Sequence, residues 1–443
     1  MAENTSLHSA KDAKNDEFYT QYSDIESEMN AYVEFNPDVF RDKTVLLPCD
    51  DPEWSNFTKY FAANFTRFGL KKLISTSYAK GFGNQQLTLF EQESPLYDAS
   101  KHDAHGKVFT LTRDKNSSGN IDTDDIEFSG YLDGDGDFRS AEVKALRDEA
   151  DIIVTNPPFS LFREFLAWIQ EADKKFVILG NMNAITYKEV FPYLKDNEIW
   201  LGYKSLNQDM YFDVPDERKE WLLANKKEGS AYKIINGVVM GRLASACWFT
   251  NLDHGKRHAT LMLDTMAHNL KFNKRLRKKL ERDYGKVEYP HYDNYDAIEV
   301  PFVECIPSDY DGVMGVPITF LDKYNPDQFE IVAFRKGEDG KDLVFTRERE
   351  REFNRTFVSL FNSDSWDDKE CRRKDKWANY LRENNNSPQM EPVDFFYPLS
   401  VTSRAAGSMN GKINGKETYR RVLIRRKEER IDEDNFTYRL DGR

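Results

Sequence analysis

The tetrapeptide Asn156-Pro157-Pro158-Phe159 lies at the end of a predicted buried β-strand, residues 151–159, which begins with a short apolar run. Two consecutive prolines fix two φ angles and remove two backbone donors. The residue before a proline is also confined to extended backbone. The chain is therefore expected to leave the strand in a rigid, extended turn.

Such a turn can activate an amino group. It holds two fixed acceptors, the side-chain oxygen of Asn156 and the carbonyl of Pro157, which match the two hydrogens of a planar amino group. Accepting both hydrogens makes the nitrogen lone pair available as a nucleophile. The ring of Phe159 offers a stacking face, a contact worth about 1–3 kcal/mol per base.

Strands and helices alternate along the first half of the chain and must position this turn. Apolar runs predict strands at residues 44–48, 71–78, 151–159 and 174–180, and residues 80–120 are expected to be loop-rich. The alternation indicates an α/β fold with a doubly wound parallel sheet. Ligands of such sheets bind beyond the carboxyl ends of the strands, where the Asn156 turn is expected.

At a strand end, this tetrapeptide resembles motif IV of amino-group methyltransferases that use S-adenosylmethionine. Together with the segments PCDDP, GDGDFRS, ILGNMNAITY, WFTNLDH and GVPITFLDKYNP, it makes the chain similar to the EcoRI-type adenine-specific DNA methyltransferases. The resemblance covers residues 16–336 and resumes at 411–427. It implies a Rossmann-like methyltransferase sheet, S-adenosylmethionine as cofactor and double-stranded DNA as partner.

The resemblance also implies which residues bind the cofactor. Tyr19 and Thr20 match motif X, whose threonine region binds the methionine carboxylate. Asp137 and Phe138 match the acid and the aromatic residue that hold the cofactor adenine. Asn156 is expected to border the same pocket.

Two segments depart from the family pattern. The glycine-rich turn of motif I, which lets the backbone approach a ligand closely, is replaced by Pro-Cys-Asp-Asp-Pro at residues 48–52. Pro48 lies at this turn, and Asp50 is expected to face the cofactor's ammonium group. The second strand ends without an acid for the ribose hydroxyls, so Ser77 is expected to take that place.

The net charge of −13 argues against a nucleic-acid partner until its distribution is considered. Residues 1–160 carry all of it, whereas residues 271–280 hold six cations and no acid, and residues 420–427 hold five more cations. A charge run is often only a solvated helix face. In a methyltransferase of this kind, however, these segments are expected to meet DNA phosphates. The residues chosen for that role are Lys274, Arg275, Lys278, Lys279, Arg421 and Arg425.

The composition also predicts the organisation of the chain. Residues 1–15 are polar and are expected to form a disordered arm. Residues 16–260 are expected to form the catalytic domain, and residues 261–443 a mixed α+β DNA-recognition region with a charged insertion at about 337–410. In that region the apolar run VPITFL, residues 316–321, predicts a strand.

Several other classes of protein are disfavoured. The four cysteines form no CxxC pair, and the aspartates of DGDGD lack the glycine and glutamate of a calcium loop, so no metal is expected. No apolar stretch is long enough for a membrane span and no signal peptide is visible, which predicts a cytoplasmic protein. The oligomeric state stays open.

The sequence therefore predicts an enzyme that methylates the 6-amino group of an adenine swung out of duplex DNA. Three alternatives stay open: methylation of guanine amino groups in RNA, methylation of protein glutamine, and a non-catalytic DNA-binding protein with the same fold.

Overall fold

The structure, a computed structural model, describes residues 19–48, 50–79, 89–92, 94–206, 208–243, 245–293, 296–333, 382, 412–414, 416–419 and 421–427. The predicted arm at 1–15 lies outside these residues, as does the predicted insertion at 337–410 apart from Arg382. The chain forms two compact units, Met1–Arg257 and His258–Arg443.

The first unit is built from alternating strands and helices. Its strands are β1 (Tyr19–Thr20), β2 (Thr44–Leu47), β3 (Lys72–Ser77), β4 (Lys107–Leu111), β5 (Glu127–Tyr131), β6 (Ile152–Thr155), β7 (Lys175–Asn181), β8 (Trp200–Leu201), β9 (Met210–Asp213), β10 (Tyr232–Ile235), β11 (Val238–Leu243) and β12 (Ala246–Thr250). Its helices are α1 (Tyr22–Phe35), α2 (Asn56–Ala63), α3 (Phe65–Phe68), α4 (Leu89–Gln92), α5 (Ala141–Glu149), α6 (Phe162–Glu171), α7 (Phe191–Lys195) and α8 (Asp216–Asn225).

Eight of these strands form one mixed sheet in the order β5-β4-β3-β2-β6-β7-β12-β8. The four central strands, β3, β2, β6 and β7, are parallel, as the alternation of strands and helices predicted. The sheet as a whole is not parallel, because β4 and β5 continue it antiparallel on one side and β12 and β8 on the other. The structure therefore corrects the prediction at both edges of the sheet.

The core of this unit lies around the central strands. All residues of β2 and β6 are buried, as expected for strands covered on both faces. Helix α1 buries Ile25, Met29 and Tyr32 at helical spacing and ends before Asn36-Pro37, where the proline disfavours further helix. A second, smaller sheet has the order β1-β9-β11-β10.

The second unit also mixes helices and strands. It contains α9 (Met266–Phe272), α10 (Lys274–Tyr284), β13 (Ala297–Glu299), β14 (Val313–Val316), β15 (Phe329–Ala333), β16 (Lys412–Ile413), β17 (Lys416–Glu417) and β18 (Val422–Arg426). Strands β13, β14, β18 and β15 form one sheet in that order.

The strand predicted at residues 316–321 is only partly present. Val316 closes β14, but Pro317 lacks the backbone donor that a continuing strand would use, and Ile318–Lys323 forms a 3₁₀ turn. Within the described part of the chain, no helix is both long and apolar enough to cross a membrane.

Candidate active site

The Asn156 turn lies at the carboxyl edge of the main sheet. Strand β6 ends at Thr155, so Asn156 leaves the sheet between the neighbouring parallel strands β2 and β7. Pro157 is buried, whereas Asn156 and Phe159 are partly buried. A 3₁₀ turn, Phe159–Leu161, then leads into α6. The sequence predicted this position from the apolar run and the two prolines.

Close packing holds the start of α6 against the sheet. A Cβ atom added at Gly180, in β7, would lie 2.4 Å from a ring atom of Phe162. No side chain fits at that distance, so glycine lets the helix that follows the turn approach the strand. Sequence reasoning missed Gly180, whose signal is a lone glycine at the end of an apolar strand.

Asp50, in the turn after β2, contacts Thr155, the last residue of β6 before the Asn156 turn. Its carboxyl oxygens lie within hydrogen-bonding distance of the hydroxyls of Ser55 and Thr155, each at 2.7 Å. Ser55 caps the N-terminus of α2, accepting from the backbone of Phe57 and Thr58. The predicted cofactor turn and the predicted catalytic turn are therefore joined by one buried carboxyl group.

Burial changes the titration of this carboxyl. Burial raises the pKa of Asp50, the hydrogen bonds with Thr155 and Ser55 lower it, and the charge of Asp51 makes a smaller upward contribution; the net result is a pKa of about 7. The Thr155 hydroxyl also lies 3.0 Å from the carbonyl oxygen of Pro48. The sequence singled out Asp50 and Pro48 but not Ser55 or Thr155.

Two hydroxyls near these turns lack a partner among the described residues: that of Ser77, at the end of β3, and that of Thr20, a residue of the smaller sheet whose carbonyl accepts from Asn56 of α2 at 2.8 Å. Thr20 Oγ1 and Ser77 Oγ are both buried. Buried polar atoms are normally paired, so each of these hydroxyls fits a ligand group. They are the residues predicted for the methionine carboxylate and the ribose, and the site therefore fits S-adenosylmethionine. Tyr19 pairs with Asp213 through the backbone of β1 and β9.

The GDGD loop packs against the end of β3. Gly136 has a φ of +89°, and a Cβ there would lie 2.6 Å from the carbonyl oxygen of Ser77. The hydroxyl of Tyr78 donates to Asp135 at 2.9 Å. The loop that carries Asp137 is thus held beside Ser77, at the same sheet edge.

Asp137 and Phe138 have different surroundings. Asp137 is paired with Arg139, and although partial burial raises its pKa, the hydrogen bonds and charge of Arg139 outweigh that and hold the pKa below the usual value. The ring of Phe138 is buried, with centroids 5.1 Å from Phe165 and 5.7 Å from Trp168. Its role beside the cofactor adenine stays a prediction.

A buried cluster of charged side chains lies beside Ser77. Lys107, the backbone partner of Ser77 in β4, donates to Glu91 at 2.7 Å. Glu91 also lies 3.0 Å from His102 Nδ1 and from the hydroxyl of Tyr131. These groups satisfy one another. In the described ranges, no set of three or more histidine, cysteine, aspartate or glutamate side chains is arranged to hold a metal ion.

The predicted DNA contacts lie in the second unit. On α10, Lys274, Arg275 and Lys278 are exposed, and Leu276 and Leu280 are buried. Three further predicted contacts are engaged in ion pairs: Lys279 with Asp283 at 2.6 Å, Arg425 with Glu330 at 2.8 Å and Arg421 with Glu299 at 2.6 Å. Arg275 pairs with Glu304 at 3.0 Å and lies over the ring of Phe302.

Comparisons with known proteins identify the family of this chain. The family model described as adenine-specific methyltransferase EcoRI matches residues 6–427. The Type II methyltransferase M.EcoRI of Escherichia coli is 44% identical over 347 residues, covering 77% of this chain and 93% of the relative. M.MgeORF184P of Mycoplasma genitalium is 36% identical over 323 residues, covering 73% and 84%. M.MpnI of Mycoplasma pneumoniae is 34% identical over 327 residues, covering 73% of this chain and 83% of the relative.

No solved structure gives a significant match. With a family match across nearly the whole chain and relatives that align over most of their own length, the chain belongs to the EcoRI family of adenine-specific DNA methyltransferases.

Proposed function

We propose that this chain transfers a methyl group from S-adenosylmethionine to the 6-amino group of an adenine extruded from duplex DNA. The observation that carries the proposal is the position of the Asn156-Pro157-Pro158-Phe159 turn, at the carboxyl edge of the parallel strands and beside the turn that contains Asp50. Extrusion costs a few kcal/mol and is needed because pairing hides the amino group.

In this proposal the catalytic turn binds and orients the base. The side-chain oxygen of Asn156 and the carbonyl of Pro157 accept the two hydrogens of the amino group, and Phe159 stacks on the purine. Two fixed acceptors raise the availability of the nitrogen lone pair and hold it in line with the methyl group. The contribution of the protein is position and charge, since the cofactor supplies an already activated methyl donor.

The cofactor would lie along the same sheet edge. Thr20 Oγ1 and Ser77 Oγ, buried without partners in the described part of the chain, would bind its methionine carboxylate and its ribose. Asp137, held by Arg139, would accept from the amino group of the cofactor adenine. The basic residues of α10 would contact DNA phosphates, which position a protein without reading sequence.

The test is methyl incorporation from labelled S-adenosylmethionine into duplex DNA, RNA and protein assayed side by side. Label confined to N6 of adenine in duplex DNA is the expected result. Label only in guanine of RNA or in protein glutamine would replace the proposal with one of those activities. No label in any substrate would favour a DNA-binding protein without catalysis.

A further inference from the structure

If Asp50 is ionised, the hydroxyl of Thr155 has two acceptors beside it but only one hydrogen to donate. The hydroxyl of Thr155 lies 2.7 Å from Asp50 Oδ2 and 3.0 Å from the carbonyl oxygen of Pro48. A threonine hydroxyl has one hydrogen, and a carbonyl or an ionised carboxylate can only accept. With Asp50 ionised, one of the two buried acceptors is left without a donor from Thr155, which is costly.

One additional proton resolves the count. If Asp50 carries a proton on Oδ2, that proton is donated to Thr155 Oγ1, and the hydroxyl of Thr155 is donated to Pro48. Ser55 still donates to Asp50 Oδ1 at 2.7 Å. Each hydrogen then has an acceptor. A continuous chain of hydrogen bonds joins the turn after β2, the N-cap of α2 and the end of β6.

We infer that Asp50 is a neutral carboxylic acid whose proton is shared with Thr155, and that the two are positioning residues which hold the catalytic turn in place against the cofactor turn. The inference rests on the proposed function, because the turn it positions is the proposed methyl-transfer site. Thr155 directly precedes Asn156, so a shift of Thr155 moves the acceptor that binds the adenine. A displacement near 1 Å can cost about 100-fold in rate.

The surroundings of Asp50 are consistent with a neutral group. Strand β3 presents the hydroxyl of Ser75 to the Asp50 backbone, and β6 presents Thr155 to its carboxyl. Helix α2 presents Ser55 and its N-terminus. The partial positive charge of a helix N-terminus favours an ionised group, but here the N–H groups of Phe57 and Thr58 already donate to the Ser55 side chain. Among the described residues, the charged neighbour that acts on Asp50 is Asp51, in the same turn, and its negative charge favours the protonated form.

The inference opposes the expectation that Asp50 pairs with the cofactor's ammonium group, since that pairing requires an ionised carboxylate. Asparagine distinguishes the two roles, because its amide can donate to Thr155 and accept from Ser55 without a charge. We therefore compare Asp50→Asn with Asp50→Leu, and Thr155→Ser with Thr155→Val, by kcat for DNA methylation, by affinity for S-adenosylhomocysteine, and by the pH dependence of kcat.

We expect Asp50→Asn to be at least tenfold more active than Asp50→Leu, and Thr155→Ser at least tenfold more active than Thr155→Val. Thr155→Val should lose kcat while its affinity for S-adenosylhomocysteine changes less than threefold. The kcat of the unaltered chain should fall as the pH rises through about 7, and that fall should be absent in Asp50→Asn. Equal loss in Asp50→Asn and Asp50→Leu, with weakened S-adenosylhomocysteine binding in both, would overturn the inference in favour of an ammonium contact.

A direct measurement of the proton does not depend on activity. In protein labelled with ¹³Cγ-aspartate, the signal that disappears in Asp50→Asn is expected to be that of a protonated acid at pH 6 and to titrate near pH 7. Titration of that signal below pH 5 would refute the neutral acid. Failure of the unaltered chain to methylate DNA would instead refute the proposed function, and the NMR titration would still decide the state of Asp50.

Discussion

The guanidinium of Arg139 binds both carboxylate oxygens of Asp137, with Nε 2.9 Å from Oδ1 and Nη2 2.5 Å from Oδ2. The remaining Nη1 donates to Glu164 on α6 at 3.1 Å. Arg139 thus links the loop proposed to hold the cofactor adenine with the helix that follows the catalytic turn. Paired in this way, Asp137 is fixed in one orientation before a ligand arrives.

Replacing Arg139 is expected to weaken cofactor binding. Arg139→Ala should raise the Kd for S-adenosylhomocysteine about tenfold, which corresponds to about 1.4 kcal/mol, because Asp137 loses its fixed orientation. Isothermal titration calorimetry measures the change. The matched control is Arg113→Ala, which removes an exposed ion pair with Glu127 and should leave the Kd unchanged. Equal affinity in both variants would show that Arg139 does not orient the adenine site.

The raised pKa of Asp50 predicts a pH dependence of stability. Between about pH 4 and pH 7, Asp50 keeps a proton in the folded chain that it has released in the unfolded chain. The contribution of Asp50 to the free energy of unfolding therefore falls as the pH rises through this window and is constant above it. The fall amounts to at most about 4 kcal/mol. Urea unfolding of the unaltered chain and of Asp50→Asn, compared at several pH values, isolates this contribution. A difference between them that does not vary with pH would contradict the shift.

Helix α10 is expected to contact DNA through two lysines. Lys274 and Lys278 are four residues apart on an exposed face, and neither has an ion-pair partner in the described part of the chain. Changing both to Gln should weaken DNA binding and reduce the slope of log K against log salt by about 2. The control, Lys43→Gln with Lys71→Gln, removes two charges near the amino ends of β2 and β3, away from the proposed site. Equal slopes in the two double variants would exclude phosphate contacts by this helix face.

Arg421 is expected to act through stability. Its side chain and that of Glu299 are only 13% and 1% exposed, so Arg421→Met leaves a buried carboxylate without its partner and should cost about 3–5 kcal/mol of unfolding free energy. Arg425→Gln breaks a more exposed pair with Glu330 and should cost less than about 1 kcal/mol. Chemical denaturation compares the two. A stable Arg421→Met variant with a smaller salt slope of DNA binding would instead show that Arg421 contacts phosphates, as the sequence suggested.

Local patterns explain which parts of the fold the sequence predicted. The apolar run before Asn156 and the two prolines after it determine a strand end and a turn within a few residues, and the structure has both. Strand β4 was missed because Lys107–Leu111, whose residues alternate between buried and partly buried, lies within a stretch rich in turn residues that was expected to form loops. The run at Ile318–Lys323 has strand-like residues but follows Pro317 and forms a 3₁₀ turn.

The sequence identified several residues of the candidate site, but it did not predict which of them contact one another. Asp50 was singled out by its place in the segment that replaces the family's glycine-rich turn. Its partner Thr155 lies 105 residues away in sequence, and the pairing of β2 with β6 brings the two together. The role of Arg139 had a weaker signal, a cation two residues after Asp137. Nothing in the sequence indicates that Ser77 Oγ is buried without a partner in the described part of the chain.

In the proposed reaction, Asn156 accepts a hydrogen from the amino group that is methylated. The most direct test is Asn156→Ala, assayed for transfer of labelled methyl to duplex DNA and for binding of S-adenosylhomocysteine. Methyl transfer is expected to fall by about 100-fold or more, as when one preorganised hydrogen-bonding group is removed from an active site, while the Kd for S-adenosylhomocysteine changes less than threefold. Turnover equal to that of the unaltered chain would show that Asn156 has no such role in methyl transfer.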